Sequence, residues 1–206
     1  MTTRIAVIDH GAGNLVSIAR GLERAGAIAV VCETPEEIEG ADGIVLPGVG
    51  ATASVMAGIR VAGFESPLRQ TTRPVLGICV GMQVLFETSE EDGAACLGLI
   101  EGTVRKLENP PRLPHIGWND LDLVRDDPLF AGLSDRPVVY FVHSYAPEPL
   151  DPAVIVARSS YESPFPAVVR KGHVVGTQFH PERSGETGLG MLANFVRECS
   201  IAMANR

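Results

Sequence analysis

Short apolar runs alternate with amphipathic segments in the first part of the chain. Each run ends in Gly, Pro or a polar turn and lacks the alternation of polar and apolar residues that marks a half-buried strand. We therefore interpret the runs as strands that are buried on both faces. These predicted strands cover residues 4–9, 27–32, 42–48 and 74–79.

The segments between these runs have helical spacing. In residues 15–26, Leu15, Ile18 and Leu22 share one helical face, and a glycine ends the segment. Residues 51–70 are interpreted as further helix. Strands that alternate with helices predict parallel β/α units with right-handed crossovers.

From residue 98 onward the chain consists of closely spaced strand segments with turn signals and little room for helices. This half favours antiparallel pairing, and residues 188–199 predict a closing helix. The change near residue 95 indicates a change of topology more than a domain boundary. We predict one α/β domain over residues 1–206, with a doubly wound, mixed but mainly parallel sheet flanked by helices and a site at the C-terminal ends of its strands.

Composition narrows the classes of function. The formal net charge of -8 disfavours binding to nucleic acid or a membrane surface through bulk charge. The four cysteines lie far apart and include no C-x-x-C pair for zinc or redox chemistry. The N-terminus lacks the apolar core of a signal peptide, and no later segment has the apolar length to span a bilayer. We expect a cytoplasmic protein with reduced thiols.

The stretch GICVGMQ, residues 77–83, places Cys79 between two glycines where an apolar run gives way to a helical one. A free cysteine is often a small buried hydrophobe. The stretch also fits a nucleophile elbow, a strand-to-helix turn so sharp that small residues must flank the nucleophile. The start of the following helix favours a thiolate, and the turn aims the Val80 backbone N–H at the place where an oxyanion would form.

A nucleophile of this kind needs a base, and GTQFHPERS supplies His180 and Glu182 at the end of an apolar strand. The period of two in a strand puts both side chains on one face. A carboxylate beside an imidazole fixes its tautomer and stabilises the imidazolium, as in a catalytic triad with Cys as nucleophile. A metal pair or a strand-end turn are the alternatives, but further ligands at metal-binding spacing are missing.

Two glycine-rich stretches follow earlier strands. LPGVG, residues 46–50, fits a loop that donates a second N–H to the oxyanion, because glycine permits unusual backbone geometry, although the stretch taken alone is an ordinary turn. HGAGN, residues 10–14, suggests dinucleotide binding, but Val16 occupies the position of the third glycine. We interpret it as a strand-to-helix turn with Asn14 as the helix N-cap.

Together, GICVGMQ, LPGVG and GTQFHPERS resemble the class I (triad) glutamine amidotransferases. DHGAGN, PHIGWN and YFVHSY further resemble the glutaminase subunits of imidazole glycerol phosphate synthases, over practically the whole chain. The resemblance implies an enzyme without a cofactor or a metal that hydrolyses L-glutamine. Cys79 would attack the side-chain amide, His180 would transfer protons, and Glu182 would orient His180.

The resemblance also implies residues that bind glutamine and a partner protein. Glutamine would contact Gly50, Gln83, Ser144 and Tyr145, and Val49 and Gly50 would belong to the oxyanion loop. The ammonia would pass to a (β/α)8-barrel cyclase subunit that makes imidazole glycerol phosphate and an aminoimidazole carboxamide ribotide in histidine biosynthesis. The residues at positions that line the subunit interface in relatives are Asn14, Pro114, Trp118, Tyr140 and Arg183.

Ordinary interpretations of these residues stay open. Trp118 fits a core position, Tyr140 fits a common strand aromatic, and His115 and His143 fit hydrogen-bonded structural histidines. Two residues depart from the family pattern, since His10 and Arg183 stand where relatives usually have Tyr and Lys. The alternative functions are the glutaminase subunit of pyridoxal phosphate synthase, a hydrolase of γ-glutamyl peptides, and a catalytically silent binding subunit.

Overall fold

The computed structural model describes residues 2–204. Its helices are α1 (Leu15–Arg24), α2 (Thr52–Val61), α3 (Glu65–Gln70), α4 (Val80–Gln83) and α5 (Gly185–Ala204). Its strands are β1 (Arg4–Ile8), β2 (Ile28–Cys32), β3 (Gly43–Leu46), β4 (Val75–Ile78), β5 (Thr88–Ser89), β6 (Gly102–Lys106), β7 (His115–Asp120), β8 (Asp122–Leu123), β9 (Val138–His143), β10 (Tyr145–Pro149), β11 (Ile155–Tyr161), β12 (Ser163–Lys171) and β13 (Val174–Thr177).

An eight-stranded sheet forms the centre of the molecule, in the order β2-β1-β3-β4-β13-β12-β11-β8. The first five strands in this order pair in parallel, and the last three are added antiparallel. Strands β3, β4 and β13 are buried along their whole length, as expected for the middle of a sheet with both faces covered. The predicted mixed, mainly parallel sheet is confirmed.

Two smaller sheets accompany the central one. Strands β10, β6 and β5 form one of them, and β7 and β9 form an antiparallel ribbon. In this ribbon Trp118 lies opposite Tyr140, and His115 lies opposite His143. The antiparallel character that the sequence predicts for the second half of the chain is therefore confirmed.

The predicted helices differ from the observed ones in two places. Residues 51–70 form α2 and α3, which are separated at Gly63, where φ is 79°. Helix α4 ends after a single turn, because the next residues are buried and their carbonyl groups accept hydrogen bonds from residues 97–99. The closing helix is longer than predicted and begins at Gly185.

A buried ion cluster joins three parts of the second half. Arg170 on β12 donates two hydrogen bonds to Asp127, at 2.7 and 2.8 Å, and two to Glu198 on α5, at 2.9 and 3.1 Å. The Asp127 side chain is fully buried. Because a guanidinium group satisfies two carboxylates at once here, the cluster fixes α5 against the sheet. Among residues 2–204, no helix combines the length and apolar character needed to cross a bilayer.

Candidate active site

Cys79 lies in a sharp turn between β4 and α4. Its backbone has φ 56° and ψ -113°, a conformation that side chains rarely adopt, and its N–H donates to the Thr177 carbonyl at 2.8 Å. A Cβ atom added at Gly77 would lie 2.6 Å from the Gly81 oxygen, and one added at Gly81 would lie 1.9 Å from the Leu46 oxygen. The glycines that flank Cys79 are therefore required by close backbone contacts, as the nucleophile-elbow interpretation expects.

His180 and Glu182 follow β13. The Nδ1 atom of His180 lies 2.9 Å from Oε1 of Glu182, whose side chain is fully buried. The reason given from the sequence for this contact is wrong: β13 ends at Thr177, and a 3-10 turn over Pro181–Arg183, not strand alternation, brings the two side chains together.

The electrostatic surroundings of His180 favour its protonated form. Burial lowers the pKa of His180, but hydrogen bonds and charge interactions with Cys79 and Glu182 outweigh the burial and raise it to about 10. An imidazole between a thiol and a carboxylate can accept the thiol proton and hold it as an imidazolium. The three side chains are therefore arranged for nucleophilic catalysis at sulfur.

A cavity of ≈ 200 Å³ opens above the Cys79 sulfur. Its lining includes Val49 and Gly50 of the loop, Val80, and every residue that the resemblance assigns to substrate binding. The lining residues are Asn14, Val49, Gly50, Cys79, Val80, Gln83, Glu91, Val142, His143, Ser144, Tyr145, His180 and Arg183. Within residues 2–204 no group of three or more His, Cys, Asp and Glu side chains is arranged to hold a metal ion.

A family model of known proteins, described as glutamine amidotransferase class-I, matches residues 6–199 of the chain. The chain belongs to the class I glutamine amidotransferases. Imidazole glycerol phosphate synthase subunit HisH of Chloroflexus aurantiacus is 51% identical to it, over 94% of this chain and 95% of the relative. The protein of the same name from Microcystis aeruginosa is 45% identical, over 95% and 96%.

Solved structures agree on the fold of this amidotransferase. A putative GMP synthase protein from Thermoplasma acidophilum superposes with a TM-score of 0.77 at 21% identity, over 100% of this chain and 98% of the other. A structure described as a glutamine amidotransferase gives a TM-score of 0.76 at 22% identity, over 95% and 98%. At these identities the similarity establishes a shared architecture.

In this amidotransferase the loop over residues 46–50 lies directly on the elbow. A Cβ atom added at Gly48 would be 2.5 Å from the backbone nitrogen of Gly81, so the loop approaches the elbow as closely as a glycine allows. His10 supports the loop from the other side, because its Nε2–H donates to the Pro47 carbonyl at 2.7 Å. Gly50 has φ 87°, so the loop turns at a residue suited to the left-handed region.

Gln83 and Glu91 form part of the cavity wall. The Gln83 amide nitrogen donates to the Tyr145 carbonyl at 3.0 Å and to Oε1 of Gln178 at 3.2 Å. Glu91, which the sequence interpretation missed, accepts a hydrogen bond from the Thr52 backbone N–H at 3.1 Å. The T-S-E-E run that contains Glu91 follows the elbow helix in sequence, but only the fold brings it to the cavity.

The two structural histidines are paired. Nδ1 of His143 donates to the Tyr145 carbonyl at 2.9 Å, so its Nε2 accepts from Nδ1 of His115 at 3.1 Å. Burial lowers the pKa of His143 to about 3, and the ring stays neutral. The expectation of full hydrogen bonding is wrong for one atom, because Nε2 of His115 is buried without a partner among the described residues.

The predicted interface residues fall into two groups. Asn14 and Arg183 line the cavity, whereas Trp118 and Tyr140 lie on the β7–β9 ribbon and Pro114 is exposed just before it. Trp118 is 55% exposed, so its interpretation as a core residue is wrong. Asn14 occupies the predicted N-cap position of α1, and its carbonyl accepts from the Ile18 N–H at 3.1 Å, but its side chain makes no capping hydrogen bond.

The exposed aromatic face consists of Trp118, Tyr140 and Arg183. The rings of Trp118 and Tyr140 meet edge to face at 5.7 Å, and the Arg183 guanidinium lies 4.5 Å from the centre of the Tyr140 ring. Aromatic and arginine side chains in such an arrangement are enriched at protein interfaces. This face adjoins the cavity, because Arg183 belongs to both.

Proposed function

We propose that this chain is the glutaminase subunit of an imidazole glycerol phosphate synthase, with Cys79 as nucleophile. The Cys79 sulfur attacks the side-chain amide carbon of L-glutamine, and the carbonyl oxygen becomes an oxyanion. His180 gives its proton to the amide nitrogen, the C–N bond breaks, and ammonia leaves a γ-glutamyl thioester. Water, activated by His180, then hydrolyses the thioester to glutamate.

One observation carries this proposal: the Cys79 elbow faces an imidazole whose other nitrogen lies 2.9 Å from a fully buried carboxylate, Glu182. That carboxylate keeps the Nδ1 proton on His180 and leaves Nε2 for the sulfur and the leaving group. We assign the oxyanion to the Val80 N–H together with the loop residues Val49 and Gly50.

The lining of the cavity supports an amino acid as substrate. Glu91 brings a carboxylate that suits an α-ammonium group, and the backbone over Ser144 and Tyr145 offers further hydrogen-bonding groups. Gln83 holds that segment in place through the Tyr145 carbonyl. We assign Gly50, Gln83, Ser144 and Tyr145 to glutamine binding on this basis.

The names of the relatives, which are synthase subunits, support a partner subunit. We propose a heterodimer with a (β/α)8-barrel cyclase subunit that receives ammonia directly, since ammonia protonated in solvent is not a nucleophile. Trp118, Tyr140, Arg183, Pro114 and Asn14 are the residues that we assign to this interface. We place the complex in the cytoplasm, as a biosynthetic enzyme.

Glutamate release from L-glutamine tests the proposal. It is measured first with the purified protein by itself, and then in the presence of the cyclase subunit with its ribotide ligand bound. Cys79→Ala is expected to abolish glutamate release and to leave ammonia-dependent synthesis by the complex intact. Cys96→Ala, a buried cysteine outside the cavity, is the matched control and is expected to keep both activities.

Two outcomes would overturn parts of this assignment. Glutamate release by Cys79→Ala at the wild-type rate would remove Cys79 as nucleophile. Glutamate release that ignores the cyclase subunit would separate the glutaminase chemistry from this synthase and favour another one, such as pyridoxal phosphate synthase, or a partner-free γ-glutamyl hydrolase.

A further inference from the structure

Gln178 is a fully buried polar residue next to the Cys79 sulfur that the proposed mechanism does not use. It directly follows β13, and its backbone N–H donates to the Ala167 carbonyl at 2.9 Å. Its side-chain Nε2 lies 3.9 Å from the sulfur of Cys79. Most buried polar side chains are hydrogen-bonded, so the contacts of this amide indicate what it can do.

The orientation of the Gln178 amide follows from its neighbours. The Tyr145 carbonyl can only accept, so the Gln83 atom that faces it at 3.0 Å must be the amide nitrogen. The same nitrogen lies 3.2 Å from the Gln178 side chain, which must therefore present its oxygen there. The NH2 group of Gln178 is then left to face Cys79.

The sulfur consequently has a partner in either protonation state. As a thiol it donates to the Val142 carbonyl at 3.7 Å, and as a thiolate it can accept from the Gln178 amide. A carbonyl oxygen offers nothing to a thiolate, whereas an N–H donor stabilises the charged form. The amide therefore favours the thiolate in addition to His180, which holds the thiol proton.

We propose that the Gln178 side chain is a hydrogen-bond donor to the Cys79 thiolate, held in its donating orientation by Gln83. This inference rests on the proposed glutaminase function and adds a residue to it. The sulfur loses its negative charge when the C–S bond forms and regains it when water cleaves the thioester. The donor therefore raises the thiolate fraction before attack and improves the sulfur as a leaving group.

Alkylation of Cys79 by iodoacetamide tests the donor without glutamine or a partner. The thiolate displaces iodide as the S–C bond forms, so the rate follows the thiolate fraction across pH. Gln178→Met keeps a similar volume without a donor, and Gln178→Glu is isosteric but presents an oxygen to the sulfur. We expect alkylation at neutral pH to slow about tenfold in Gln178→Met, with the midpoint of its pH profile about one pH unit higher.

Gln178→Glu is expected to raise the midpoint of the pH profile more than Gln178→Met does, because a carboxylate beside the sulfur repels the thiolate. Gln70→Met, an exposed residue on α3, is the control and should match wild type. Urea unfolding shows which variants are folded. If Gln178→Met does not fold, Gln178→Glu still tests the inference, because its carboxylate can accept the hydrogen bond from Gln83. A wild-type midpoint in a folded Gln178 variant overturns the inference.

The alkylation result and the proposed function can fail separately. Loss of the donor effect while wild type still releases glutamate would remove only the role of Gln178. Absence of glutamate release by wild type in the complex would remove the glutaminase assignment, and the alkylation profile would still report on the hydrogen bond.

Discussion

A methyl group at Gly81 tests whether the elbow is held by backbone contact. The added Cβ in Gly81→Ala would lie 1.9 Å from the Leu46 oxygen and 2.9 Å from the Leu46 carbonyl carbon. Both are backbone atoms of β3, which is buried along its length and paired with β1 and β4. Neither neighbour can rotate away, so the elbow and β3 must separate by more than an ångström.

We expect this separation to lower the free energy of unfolding by about 3 kcal/mol, at the upper end of the range for substitutions that overpack a core. A shift of about 1 Å in catalytic geometry also costs about a hundredfold in rate. Gly40→Ala is the matched control, because Gly40 is exposed and its added Cβ would meet only a side-chain atom of Arg4, at 4.0 Å. Urea unfolding and glutamate release are measured on both variants. Equal stability and turnover of Gly81→Ala and Gly40→Ala would refute the steric account.

Four further predictions concern buried polar groups. Glu182→Gln should lower turnover about 10- to 100-fold, because a charge-assisted hydrogen bond to His180 is lost, and turnover within threefold of wild type would contradict this. Burial opposes the rise of the His180 pKa from 6.5 to about 10 but is outweighed by the interactions with Cys79 and Glu182. Protonated His180 therefore contributes its full stabilisation to the folded state below pH 6.5, and this stabilisation is lost as pH rises through 10. Urea unfolding between pH 6.5 and pH 10 should show that the free energy of unfolding falls, and that it falls less in Glu182→Gln than in wild type. Arg170→Met should cost about 3 kcal/mol of unfolding free energy, since the fully buried Asp127 keeps only its longer contact to Arg125, at 3.8 Å, and Glu198 loses two hydrogen bonds; a change under 1 kcal/mol would argue against the cluster. His10→Phe should lower turnover by loosening the loop at Pro47, whereas His10→Gln, whose amide reaches the same carbonyl, should restore it; equal turnover in the two variants would exclude the tether.

The fold was largely predictable because its central strands are uniform apolar runs. Strands β3 and β4 are buried on both faces, so their sequences carry no alternation, and the flanking glycines and prolines mark their ends. The length of α4 was not predictable, since V-L-F after Gln83 suits a helix as well as a buried loop. Its end depends on hydrogen bonds from residues 97–99, which are distant in sequence.

The candidate site was predictable where residues that contact each other in the structure are also close together in the sequence. Cys79 with its two glycines is such a stretch, and so is His180 with Glu182. Glu91 and Gln178 were missed for different reasons. Glu91 reaches the cavity only because of the path that the chain takes after α4. Gln178 stands two residues before His180 in GTQFHPERS, and this closeness in sequence was a signal that could have been used.

The HGAGN turn, residues 10–14, packs against the loop over residues 46–50. Its side chain at His10 supports the Pro47 carbonyl, and a Cβ added at Gly13 would lie 3.1 Å from the Pro47 ring. A side chain at Gly13 would therefore require Pro47 to move by a few tenths of an ångström. The packing of the HGAGN turn is therefore explained by the loop beside it.

Hydrogen bonds connect the exposed aromatic face with His180. The His180 N–H donates to the Tyr140 carbonyl at 3.1 Å, and the Tyr140 N–H donates to the Ser184 hydroxyl, which itself donates to the His180 carbonyl at 2.7 Å. A protein that docks on Trp118 and Tyr140 would therefore contact β9, to which the His180 turn is hydrogen-bonded. These three hydrogen bonds tie the backbone of Tyr140 to the backbone of His180 on both sides of its side chain. The proposed interface and the proposed chemistry thus meet at one strand.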